Sequence, residues 1–72
     1  MENKCLIDLS VKYGLNSSEL VKLTNIIYQA GVDDMNSNEF QRIATYICEM
    51  KLLEMPEEEL MEELKRKGLM KA

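Results

Sequence analysis

Apolar residues recur at three- and four-residue spacing along most of the chain. Leu6, Leu9 and Tyr13 form one series, Leu20, Leu23 and Ile27 a second, Phe40, Ile43, Ile47 and Met50 a third, and Leu60, Met61 and Leu64 a short fourth. Such spacing puts each series on one face of an α-helix, and no window alternates at the two-residue period of a strand. The pattern predicts an all-α fold, a small bundle of four short helices near 3–13, 17–30, 37–54 and 56–67. All of it falls within one domain, 1–72, with 56–72 a more loosely packed C-terminal helix because its apolar stripe is narrow.

The polar positions between these series carry start and stop signals. Two similar phrases, NSSELVKL at 16–23 and NSNEFQRI at 36–43, each place Asn three residues before Glu. Asn is a strong N-cap, and a Glu three positions on can bond back to the cap's own N–H, so Asn16 and Asn36 are expected to open the second and third helices. Leu15 with Leu20, and Met35 with Phe40, then occupy the two places of a hydrophobic staple. Read this way, the repeat is one folding instruction used twice rather than a duplicated binding site. Gly14, Gly31 and Gly68 stand where left-handed residues close helices, which brings Val32 toward Ile27 and Leu69 toward Leu64. The last helix is expected to begin with Pro56 and Glu57, Glu58 and Glu59 and to end with Lys65, Arg66 and Lys67, an order that suits the helix dipole. Glu62 with Arg66, and Glu63 with Lys67, are spaced as i,i+4 pairs.

Composition narrows the chemistry. A chain of 72 residues buries only about 60% of the surface its unfolded form exposes, which leaves little volume for an enclosed active site. Hydrophobic residues make up 46% and charged residues 31%, the balance of a globular chain, and the net charge of −4 disfavours nonspecific attraction to phosphate or to anionic membranes. His is absent, which removes the commonest general base and the Ser/His and Cys/His nucleophile pairs. There is no Gly-rich phosphate loop, and the glutamates at 57–63 suit a solvated helix face better than an acid/base pair. The chain is expected not to be an enzyme and to take no cofactor or metal. Asp34, Asn36 and Asn38 alternate like the first ligands of a calcium loop, but Glu39 stands at the Gly position and Thr45 where the bidentate Glu belongs, so a degenerate calcium loop is a minor alternative. Cys5 and Cys48 sit beside apolar neighbours and suit buried thiols in a reducing compartment, a Cys5–Cys48 bridge being the competing reading. With no apolar run near the length of a membrane span, a cytoplasmic protein is expected.

Two functional readings follow. Residues 9–25, LSVKYGLNSSELVKLTN, resemble a helix-turn-helix unit, with Ser10 at the close approach, Gly14 at the turn, and Leu20 and Leu23 inside the second helix. That resemblance implies a DNA-binding regulator whose second helix turns Ser17, Ser18, Val21, Lys22 and Asn25 toward the groove. Charge opposes it, because Lys12 and Lys22 are offset by Glu19 and Asp8. The other reading is a protein-interaction module, a small regulator or inhibitor of the kind common among viruses and mobile elements, that binds a partner protein or self-associates as a homo-oligomer. Leu52, Leu53, Met55, Leu60, Met61 and Leu64 cluster across the junction of the last two helices, and an apolar patch there is expected to be covered by a second copy or by a host protein.

Overall fold

The computed structural model describes residues 4–69, without the side chain of Cys5, so what was expected of Cys5 and of residues 3 and 70–72 lies outside what is described. Among the described residues there are four α-helices and no strand: α1 (Lys4–Tyr13), α2 (Ser17–Gln29), α3 (Asn38–Glu49) and α4 (Glu57–Arg66), with a short 3₁₀ turn at Leu52–Glu54 between the last two. The all-α bundle read from periodicity is the fold observed.

Helix α2 begins as its sequence dictates. The Asn16 side chain accepts from the Glu19 N–H at 2.8 Å, and Glu19 Oε1 accepts from the Asn16 N–H at 2.9 Å, so the capping box is complete. Helix α3 departs from expectation by one residue. Its cap is Ser37, whose hydroxyl accepts from the Phe40 N–H at 3.1 Å, while the Asn36 N–H donates to Asp34 Oδ1 at 2.9 Å. Asp34 draws Asn36 into a preceding turn and leaves the cap to Ser37, another strong cap residue. The shift also takes Met35 and Phe40 out of staple register. Helix α4 is displaced likewise: Pro56 is its N-cap residue and Glu57 opens it.

Glycines close three of the helices in left-handed conformation. After α2, the Gly31 N–H donates to the Tyr28 carbonyl at 3.0 Å and the Val32 N–H to the Ile27 carbonyl at 3.2 Å; after α4, Gly68 and Leu69 repeat this on Lys65 and Leu64. Both are the paired bonds of a Schellman closure. Helix α3 differs in its ending. It was expected to reach residue 54 but stops at Glu49, and Lys51 takes the left-handed conformation with φ 56°. Met50, expected on the apolar stripe, is therefore 56% exposed, while Leu52 turns inward.

The core is built around α3, which contributes Phe40, Ile43, Ala44, Ile47 and Cys48. Leu23, Ile26 and Ile27 of α2 meet them, with Leu9 of α1 and Leu52 of the 3₁₀ turn. Helix α3 packs against α1 and α2, and the 3₁₀ turn packs on both α2 and α3. Helix α4 adds Leu60 and Leu64, both with no exposed surface. A radius of gyration of 11.0 Å equals the roughly 11 Å of a compact chain this long, so α4 folds back onto the bundle. Tyr46 of α3 ties it there, its hydroxyl donating to Glu63 Oε2 at 3.2 Å. Within α4 the ion pairs form at i,i+3, Glu62 with Lys65 and Glu63 with Arg66, instead of the expected i,i+4 spacing.

Candidate functional site

The six residues expected to form an apolar patch at the α3–α4 junction are largely covered by the chain itself. Leu52, Leu60 and Leu64 are buried, and Leu53, Met55 and Met61 are half-buried and packed against the core. The physical cause is the break at Lys51. On a helix running to residue 54, Leu52 and Leu53 would fall outside the arc of Phe40, Ala44 and Ile47, whereas the turn at 51 drops Leu52 into the core and lets α4 fold back.

The five residues that the helix-turn-helix resemblance would place toward DNA divide into two groups. Ser17, Ser18, Val21 and Asn25 are exposed, and at 3.6 residues per turn they share one arc of α2. Tyr28 and Gln29, which the sequence reading did not single out, complete that arc. Val21 is 59% and Tyr28 44% exposed, and none of the six residues carries a charge. The signal was present in the sequence as an uncharged series at 17, 18, 21, 25, 28 and 29 in a chain that is 31% charged.

Lys22 stands at the edge of the arc and turns away from it. Its half-buried side chain crosses to the later part of the α3–α4 connection, where Nζ donates to the Leu53 carbonyl at 2.9 Å and to the Met55 carbonyl at 2.5 Å. On the arc's other edge, Thr24 Oγ1 donates to the Leu20 carbonyl at 2.9 Å. Both flanking polar groups are thus directed to main-chain oxygen, and the face between them is left to Ser, Val, Asn, Tyr and Gln.

Other chemistry is sparse among the described residues. No group of three or more His, Cys, Asp or Glu is placed to hold a metal ion, and the Asp34 carboxylate of the calcium-loop-like stretch accepts from the Asn36 N–H. A cleft of about 250 Å³ has Tyr13, Ile47 and Cys48 in its lining, with Glu19 beside them, but the Glu19 carboxylate is held by the capping box. Cys48 is buried. No described helix is long and apolar enough to cross a membrane. The chain matches no protein-family model, no curated protein and no solved structure.

Proposed function

We propose that the chain is a non-enzymatic protein-interaction module, a small regulator or inhibitor, that lays the uncharged face of α2 into a groove of a larger host protein. The observation that carries this reading is the absence of charge across Ser17, Ser18, Val21, Asn25, Tyr28 and Gln29, all exposed, in a molecule of net charge −4. Charged side chains lose hydration on burial at an interface, whereas Tyr, Val and short polar groups are desolvated at little cost, and interface cores are depleted of charge and enriched in Tyr. The size of the face selects the occupant. A helix of 13 residues offers a strip about 20 Å long and 10 Å wide, too small, when laid flat on its copy, for the roughly 800 Å² per partner of a stable interface. A groove that wraps the helix buries more of each side chain, as in helix-in-groove recognition.

DNA reading by the same face is less well supported. Phosphate contacts need Lys or Arg beside the base-reading positions, and the Lys22 ammonium is bound to two carbonyls instead.

Affinity capture of the tagged chain from its native cells, with and without nuclease, identifies a candidate host, whose binding is then measured with purified components. Tyr28→Ala and Val21→Asp are each expected to weaken that binding at least ~30-fold, as for central interface residues, while Lys67→Glu, at the C-cap of α4, leaves it unchanged. Binding indifferent to both α2 variants would overturn the proposal. Recovery of nuclease-sensitive material alone would favour the DNA reading.

A further inference from the structure

Helices α1, α2 and α4 are followed by Gly14, Gly31 and Gly68 at φ 66°, 97° and 71°, whereas α3 is followed by Lys51 at φ 56°. That conformation crowds the Cβ of any residue but Gly against the following carbonyl and is disfavoured about 5- to 30-fold. Nothing local demands the break. Residues 49–55, EMKLLEM, are Glu, Met, Lys and Leu throughout, all strong helix formers, and the first residue that opposes a helix is Pro56. The break is imposed from a distance, because it seats Leu52 and lets α4 place Leu60 and Leu64 in the core. Local preference and tertiary packing disagree at this one residue. A short, strained connection leading to an element that contributes a discrete apolar set is the arrangement from which exchange between copies arises.

We infer that Lys51 is an exchange hinge, and that at high concentration two copies swap residues 52–69, each α4 seating its leucines in the core of the other. In the open form Met50 and Lys51 continue α3 in right-handed conformation, and residues 52–69 move as a unit. The swapped pair rebuilds what the closed chain holds: Leu60 and Leu64 in the core, the Tyr46 hydroxyl donating to Glu63, and Lys22 donating to the Leu53 and Met55 carbonyls. Only the hinge changes, and there each chain is relieved of its left-handed lysine. The gain at two hinges is set against the freedom lost on pairing, which makes the exchange depend on concentration. A second copy is the occupant that supplies every one of these contacts, and the inference does not rest on the α2 face.

The test refolds the full chain at millimolar and at micromolar concentration and measures the dimer fraction by sedimentation. In dimers assembled from equal parts isotope-labelled and unlabelled chain, filtered NOEs show whether the Leu60 and Leu64 methyls touch the core of their own chain or of the other. The expected result is a dimer at millimolar concentration with these contacts between chains. Lys51→Gly, which accepts the left-handed conformation and resists helix continuation, is expected to raise the dimer dissociation constant at least ~30-fold. A chain that stays monomeric after millimolar refolding, a dimer whose α4 contacts remain within each chain, or a Lys51→Gly variant that pairs as tightly as the parent would each overturn the inference.

Discussion

Lys22→Met removes one ammonium and keeps a stem of comparable bulk, so it isolates the two bonds from Nζ to the Leu53 and Met55 carbonyls, 2.9 Å and 2.5 Å long. Hydrogen bonds in which one partner is charged contribute about 1.5–3 kcal/mol. The site is part-buried, so water reaches both carbonyls once the ammonium is gone, and the expected loss for the pair together is about 1.5–3 kcal/mol. In a chain of 72 residues a loss of that size lowers Tm by on the order of 10 °C. The control is Lys12→Met. It makes the same change in net charge, but Lys12 is exposed, with Nζ 5.4 Å from the Tyr13 ring centroid, and a contact of that kind at an exposed site contributes only about 0.5–1 kcal/mol. Urea unfolding and thermal melts of both variants separate the lost clasp from the lost charge. If Lys22→Met is no less stable than Lys12→Met, the clasp contributes nothing and the account given for Lys22 is wrong.

Equilibrium denaturation should find Asn16→Ala and Ser37→Ala each about 1 kcal/mol less stable, and Asn36→Ala closer to the parent, because the cap of α3 is Ser37. Leu64→Ala, at a site with no exposed surface, is expected to destabilise by about 2–5 kcal/mol; a value below 1 kcal/mol in urea would mean that α4 packs loosely after all. Lys51→Gly should raise the melting temperature of the monomer, since relief of the left-handed strain, about 1–2 kcal/mol, exceeds the entropy that Gly adds to the unfolded chain. Circular dichroism melts at micromolar concentration decide the last case.

The helices that the sequence delimited well are those whose ends are written locally. Asn16 with Glu19, and Gly14, Gly31 and Gly68, act through neighbours three to five residues away, and α1, α2 and α4 fall within a residue of their expected limits. The end of α3 was illegible because no residue between 49 and 55 signals it; the packing of Leu52, Leu60 and Leu64 decides it. That miss carried over to the site. Counting apolar residues near 52–64 suggested an exposed patch, but their direction is settled together with the turn at Lys51 by packing against residues far away in the chain. The shifted cap of α3 has a smaller cause, two good cap residues side by side with Asp34 choosing between them. The exposed face of α2 was half-visible, since Ser17, Ser18, Val21 and Asn25 do share it. Lys22 misled, because its bonding partners lie 31 and 33 residues away and no spacing rule reaches that far.

The uncharged face of α2 also governs how an encounter would begin. With no fixed charge across Val21, Asn25 and Tyr28, an approaching surface is neither drawn in nor turned by a local field, so association through this face would run at the unsteered rate of about 10⁵–10⁶ M⁻¹s⁻¹. For a host surface of little net charge that rate would change little between low and high salt, because no charge within the contact is there to be screened. Long-range sorting falls to the rest of the molecule, whose net charge of −4 holds other acidic surfaces at a distance before contact is made. Residence time would then be the quantity on which selection acts, through how tightly a pocket closes on the Tyr28 ring.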